Sequence, residues 1–298
     1  MRRVAIVGAS GLIGHAVGEQ LRAAGWELRT LGRRGAEIAF DLEHDVMLEP
    51  AALEGCDALV HAAGVKDEDF ADPARVAAKL NRGTTALLTA ARAARVPRLA
   101  YISTAHVYGP LEGRIDESHA TEPRSDYARA HLATEEAFRA AAREAGAALL
   151  VVRPCAAYGM PPSIERFARW PLIPFDFPRQ ALTGRIVLNS HGEQRRNFVP
   201  AEGIGNLVGW WLEGASPGAT VANAPGRAEM SVYDFACLCA RITATVAEID
   251  CEVVRPAAPS QLPARFEYLT RVGGHLPGPT LEEHVVRIVR TLIQEHAT

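Results

Sequence analysis

The residues best spaced for chemistry stand at the start of the chain. Gly8, Gly11 and Gly14 recur three apart directly after the apolar run Val4-Ala5-Ile6-Val7, and the helical stripe Ile13, Val17, Leu21 follows at once. Each glycine has a use: Gly8 lets the chain turn, Gly11 admits a pyrophosphate to the backbone, and Gly14 lets a helix pack closely on its strand. Together they predict a buried parallel strand, a tight turn and a helix whose free N–H groups and positive end face phosphate. A bare structural turn is the competing reading of so short a motif. A second feature bears on the same ligand. Glu27–Leu31 reads as the next strand, and its tip is Gly32-Arg33-Arg34-Gly35, with no carboxylate. An acidic side chain there would accept hydrogen bonds from a free ribose 2′-hydroxyl and repel a 2′-phosphate, whereas guanidinium groups fork onto a phosphate. NADP(H) is therefore expected in preference to NAD(H). NAD(H) stays open if both arginines are solvated loop residues of an arginine-rich chain, whose only lysines are Lys66 and Lys79.

These residues need a scaffold, and the pattern of the chain supplies one. Short strands are predicted at 39–42, 58–64, 99–103 and 149–154, with helices over 73–95 and 125–145 between them. Such alternation builds a parallel sheet covered on both faces. The expected fold class is α/β: a Rossmann-type doubly wound parallel sheet with a smaller C-terminal substrate-binding lobe. Residues 1–155 would form the dinucleotide-binding domain, completed by about 199–223, and residues 156–198 and 224–298 the lobe. Residues 160–183 are rich in proline and aromatics and show little periodicity; they read as packing within the lobe or as a cover over substrate. Ser231 is expected to cap a helix, and a further helix is expected from about Leu281.

Bulk properties narrow the classes of function. The 298 residues carry a net charge of −3 with both signs interspersed, unlike a nucleic-acid-binding surface. No apolar stretch approaches membrane-spanning length, and Met1 leads directly into the first strand. A soluble cytoplasmic protein is expected, with no membrane or nucleic-acid partner. The five cysteines, odd in number and set in apolar surroundings, read as core thiols, with no metal site expected.

Further along, Ser103-Thr104-Ala105-His106-Val107-Tyr108-Gly109 and Tyr127-Ala128-Arg129-Ala130-His131 fall where the carboxyl ends of the strands would lie. With the opening glycines, Asp41-Leu42, His61-Ala62-Ala63, Asn81 with Gly83-Thr84, Arg153-Pro154 with Tyr158-Gly159, and Gln194-Arg195-Arg196-Asn197-Phe198, these segments resemble the extended short-chain dehydrogenase/reductase family. That family includes nucleotide-sugar epimerases, dehydratases and 4-ketoreductases, and the resemblance covers most of the chain. It implies that Gly8, Ser10, Gly11, Leu12, Ile13, Gly14, Arg33, Arg34, Asp41, Leu42, Ala62, Ala63 and Pro154 hold the cofactor, with Asp41 reaching the adenine. Thr104 would hydrogen-bond the reacting oxygen, and Tyr127 would be the general acid/base. Lys66, His106 and Arg196 would meet the substrate, Arg196 at a diphosphate. The activity implied is that of an NAD(P)-dependent oxidoreductase or epimerase of a nucleotide-diphosphate sugar, with an NADPH-dependent keto-sugar reductase favoured. The alanine-rich helices at 73–95 and 125–145 would pair in a homodimer.

One position departs from the family. Four residues after the tyrosine, one helical turn on, the family has a lysine that lowers the tyrosine pKa and holds the nicotinamide ribose; here the residue is His131. A free tyrosine titrates near 10, and a histidine lowers that value only when protonated. Three readings stand. The enzyme uses His131, with Lys66 or Arg129 supplying positive charge; another group, His106 being nearest, is the proton donor; or the protein binds NADP(H) without turnover. A reductase of a small non-nucleotide carbonyl is the alternative activity.

Overall fold

Unbroken apolar runs make strands that must be covered on both faces, and the central sheet is built from them. The computed structural model describes residues 2–33, 35–65, 67–257, 265–273 and 276–296. The chain opens with β1 (Arg3–Val7), α1 (Leu12–Ala23), β2 (Glu27–Gly32), β3 (Ile38–Ala39) and β4 (Ala58–His61). Next, α2 (Pro73–Ala77) passes through a π turn, Ala78–Gly83, into α3 (Thr84–Ala93). Then come β5 (Arg98–Ile102), β6 (Gly113–Ile115), α4 (Asp126–Ala145), β7 (Ala148–Pro154) and β8 (Ala156–Tyr158). The second half continues with α5 (Ile173–Ala181), β9 (Arg185–Val187), β10 (Arg195–Pro200), α6 (Ala201–Gly214) and β11 (Gly218–Ala224). It ends with β12 (Ala228–Ser231), α7 (Val232–Ala247), β13 (Glu252–Val254), β14 (Phe266–Tyr268) and α8 (Leu281–His296).

Seven parallel strands form the main sheet in the order β11-β7-β5-β4-β1-β2-β3. The chain winds outward from β1 to β3, then crosses back to β4, so the strand order reverses between β1 and β4. A crevice opens at the carboxyl ends of strands at such a reversal. Successive side chains alternate between two cores. Ala5, Val7, Leu59, Leu99, Tyr101, Leu149 and Val151 face α3 and α4. Val4, Ile6, Val60, Ala100, Ile102, Leu150 and Val152 face α1 and α6. Helices α1 and α6 cross closely: a Cβ at Gly205 would lie 2.8 Å from Gln20 Cγ and 3.0 Å from the Ala16 carbonyl oxygen. A three-stranded sheet, β12-β10-β8, and the pair β9–β13 accompany α5, α7 and α8 around a separate apolar cluster. Ser231 caps α7 by accepting from Asp234 N–H at 2.9 Å.

Three sequence expectations need correction. The strand predicted at 39–42 is only Ile38–Ala39. Asp41 leaves the sheet because its carboxylate accepts from Glu43 N–H while its carbonyl accepts from His44 N–H, which closes a turn. The helix predicted over 73–95 is broken by the π turn, where a Cβ on Gly83 would lie 2.1 Å from the Leu42 carbonyl oxygen. The stretch without periodicity contains α5, with Pro174 in its first turn and Pro178 inside it. Pro178 has no N–H to give the Pro174 carbonyl, and His284 Nε2, reaching over from α8, donates to that oxygen instead at 3.0 Å. The nearby aromatics pack on one another, with Phe167 and Phe175 4.5 Å apart.

Candidate active site

The glycine turn is held by contact on two sides. Gly8 has φ +87°, and a Cβ there would lie 2.8 Å from Ala63 N; one on Gly14 would lie 2.2 Å from the Gly8 carbonyl oxygen. Any larger residue would push apart the turn, α1 and the end of β4. Ser10 and Gly11 are exposed, Leu12 and Ile13 half-buried. No side chain caps α1, so the N–H groups of its first turn stay available to an anion. This cradle fits a dinucleotide pyrophosphate.

Along the same edge, Arg33 is exposed at the tip of β2, while Arg34 lies outside the described residues. Burial opposes ionisation of Asp41, yet hydrogen bonds from Glu43 N–H and His44, with the charge of Arg33, hold its carboxyl below the usual range. Leu42 is buried against Gly83, and Pro154 closes the end of β7.

From the turn, a chain of contacts leads to the tyrosine. Gly8 meets Ala62 and Ala63. One residue on, a Cβ at Gly64 would lie 3.5 Å from His131 Cε1. The rings of His131 and Tyr127 are 4.5 Å apart, and those of Tyr127 and His106 6.3 Å apart. Ser125 caps α4 by accepting from Ala128 N–H at 3.2 Å, which sets Tyr127 and His131 on one face one turn apart. Thr104 sits at the end of β5 and starts a 3₁₀ turn, its hydroxyl oxygen accepting from His106 N–H at 3.3 Å. That leaves its own O–H proton to donate. Next to these, His106, Gly109, Leu111, Gln194, Arg195 and Arg196 line a cleft of about 190 Å³. Arg195 is paired with Glu229 at 2.9 Å, whereas Arg196 bonds only the Arg195 carbonyl among the described residues.

Burial and pairing decide two of the charges at the site. His131 is buried, which lowers its pKa to about 4 despite Glu135, so the ring is uncharged at neutral pH. Arg129 cannot supply the missing charge: it pairs with Asp126 at 2.6 Å, more than half exposed. Its position two residues from Tyr127 faces it away. Lys66 lies outside the described residues. Arg169, which sequence reasoning missed, lies within electrostatic reach of His131 and lowers its pKa; nothing in its irregular segment signalled that. His61 is buried, stacked on Phe138 with ring centroids 5.6 Å apart.

Behind the site lies a buried ion cluster that the sequence did not reveal. Glu135 of α4 receives Arg153 at 2.6 and 2.9 Å, Arg139 at 2.9 Å and the Ser103 hydroxyl at 2.6 Å. Arg153 also covers the ring of Tyr108 at 4.7 Å. The cluster ties β5, α4 and β7 together immediately below Thr104 and Tyr127. Among the described residues, no helix is long and apolar enough to cross a membrane.

Comparison with known proteins agrees with this geometry. The NAD dependent epimerase/dehydratase family model matches residues 4–220. The chain is 34% identical over 152 residues to a dTDP-6-deoxy-L-talose 4-dehydrogenase (NAD(P)(+)) of Kitasatospora kifunensis, covering 45% of this chain and 46% of that protein. It is 33% identical over 141 residues to a 4-hydroxy-2-methyl-3-oxo-4-farnesyl-3,4-dihydroquinoline-1-oxide ketoreductase of Stigmatella aurantiaca, covering 41% and 40%. The matches thus span less than half of these curated relatives. The fold is shared with a UDP-glucose 4-epimerase of Thermotoga maritima solved with UDP-glucose, at a TM-score of 0.81, 21% identity and 99% coverage of each chain. The chain therefore belongs to the NAD-dependent epimerase/dehydratase family of extended short-chain oxidoreductases.

Proposed function

We propose that the protein is an NADPH-dependent reductase of a keto-sugar carried on a nucleoside diphosphate. The observation that carries this reading is the unbroken path of contacts from the glycine turn through Gly64 and His131 to Tyr127. A bound reduced nicotinamide supplies the hydride. Thr104 donates its free O–H to the carbonyl oxygen, and Tyr127 delivers the proton that completes the alcohol. Arg196, in the cleft beside them, grips the diphosphate through its guanidinium fork. The exposed Arg33, with no carboxylate at the tip of β2, favours the 2′-phosphate of NADP(H). Net reduction draws on that reduced pool, whereas an epimerase recycles its cofactor internally. The exposed small residues Thr85 and Thr89 of α3 and Ala133 and Ala140 of α4 leave these helices free to pair with those of a second copy in a homodimer.

The resemblance to a ketoreductase of a quinoline compound supports a second reading, reduction of a non-nucleotide ketone. Both are tested by following NADPH or NADH consumption with dTDP-4-keto-6-deoxyhexose and with a quinolone-type ketone. The proposal expects turnover of the nucleotide sugar with NADPH. It also expects a loss of about 10²-fold or more in Tyr127→Phe with NADPH affinity retained. Turnover of the free ketone alone establishes the second reading. NADPH binding without turnover of any carbonyl makes the chain a non-catalytic binder.

A further inference from the structure

At His131, the one site residue that departs from its family, the ring's second nitrogen is occupied. Nδ1 lies 2.6 Å from the hydroxyl of Tyr101, on β5 thirty residues earlier in the chain. Tyr101 is 1% exposed and His131 6%. Nε2 is fully buried, the Cε1–Nε2 edge borders Gly64, where a Cβ would lie 3.5 and 3.9 Å from those two atoms, and the next backbone group, Val65, is within the ring's reach. The family's lysine is a donor by charge alone. A neutral imidazole is a donor at only one nitrogen, and its neighbours decide which.

Those neighbours select one tautomer. If Nδ1 carried the proton and donated to Tyr101, the phenol O–H would have to turn to Thr134, and Nε2 would face the Val65 backbone with no proton to give it. Thr134, one turn away, spends its own proton on the Ala130 carbonyl at 3.0 Å. If Tyr101 donates to Nδ1, the phenol proton and the Nδ1 lone pair are both satisfied, and Nε2–H is left to face the Val65 backbone. Burial holds Tyr101 in its protonated form, raising its pKa well above 10. The charges around the ring are Glu135 from α4, Arg169 from the segment before α5, and His106 and His61 from the ends of β5 and β4. They do not offset burial, and the ring stays neutral.

We infer that Tyr101 is a positioning residue: by donating to Nδ1 it locks His131 in the Nε2–H tautomer. A neutral histidine then turns its one donor toward the Val65 backbone and so holds the segment 62–65 that packs on the glycine turn, where the family presents a lysine. The assignment deepens the functional reading above and rests on it only for the cofactor that this segment borders.

The test is the nitrogen-15 spectrum of histidine-labelled protein, with the His131 signals identified by their loss in His131→Gln. The wild type is expected to show Nε2 protonated and Nδ1 bare at neutral pH. Tyr101→Phe is expected to shift that pattern toward Nδ1–H and to weaken NADPH binding about tenfold, with circular dichroism unchanged. In a His131→Lys background, which has no tautomer to select, the same change should cost less than twofold. An Nδ1–H pattern in the wild type overturns the inference even if Tyr101→Phe fails to fold. So does an unmoved spectrum in a folded Tyr101→Phe. An Nε2–H pattern that depends on Tyr101, in a protein that binds no NADPH, leaves the tautomer assignment standing and removes the functional reading.

Discussion

At the scale of the residue, the central contrast is between a tyrosine in its family's place and a histidine that is not the family's cation. Four-residue spacing puts His131 under Tyr127, and the rings touch. The imidazole's pKa, lowered to about 4 by burial, leaves no charge there above pH 5 to favour the phenolate. A lysine at 131 would restore one. His131→Lys is therefore expected to move the rising limb of the alcohol-oxidation pH profile, on which Tyr127 must lose its proton, down by about one unit. Initial rates in the oxidation direction across pH check this, and an unmoved profile counts against a role for charge at 131. Arg169 belongs to the same ledger as a cation near the ring, recruited from a segment remote in sequence.

At the scale of the element, the site depends on backbones that approach closer than side chains permit. The π turn inserts its extra residue just where Gly83 lies against Leu42, beside the turn that carries Asp41. Gly83→Ala places a methyl 2.1 Å from the Leu42 carbonyl oxygen, so one of the two segments must move. The expected loss is about 3 kcal/mol in urea unfolding, with weaker cofactor binding because the Asp41 turn is displaced. A loss under about 0.5 kcal/mol would show that the π turn yields freely. Strand ends carry similar logic: Thr104 and Ala63 each follow a buried parallel strand and are placed by its register.

At the scale of the molecule, three buried neutral histidines make stability depend on acid. Burial is the first cause in each, lowering the pKa from 6.5 to about 3 for His61, about 4 for His131 and about 4 for His284. An unfolded chain protonates all three as pH drops below 6.5, while the native chain takes up none until pH 4 or lower. Stability thus falls with falling pH across that window, each histidine withdrawing on the order of 1.4 kcal/mol per pH unit. His61→Phe keeps a ring against Tyr101 and Phe138 and removes one titration. Its acid-unfolding midpoint is expected about half a unit lower than the wild type's, read by circular dichroism, and a higher midpoint would contradict the argument. Assembly is the second prediction at this scale. Sedimentation at micromolar concentration should give twice the 32.1 kDa chain mass, and Ala133→Arg should return the single-chain mass. A wild-type monomer would refute the pairing of α3 and α4.

What the sequence alone determined is local in origin. An apolar run, glycines three apart and a helical stripe specify β1, the turn and α1, because strand burial, positive φ and helix phase are decided within about twenty residues. The same holds for Ser231 as a cap, and for the spacing that puts residue 131 beneath Tyr127. What the tertiary structure decided depends on partners far along the chain. Helix α5 was hidden because its internal proline looked like a breaker, until His284, 110 residues from Pro174, supplied the missing donor. Nothing in the sequence set Glu135 apart, and the fold buries it by closing Arg153 and Ser103 over it. His131 could be named as the departure from the family, but neither its neutrality nor its tautomer was legible. Both are set by burial against Tyr101, across thirty residues, and a proton's position on a ring follows the neighbours the fold brings to it.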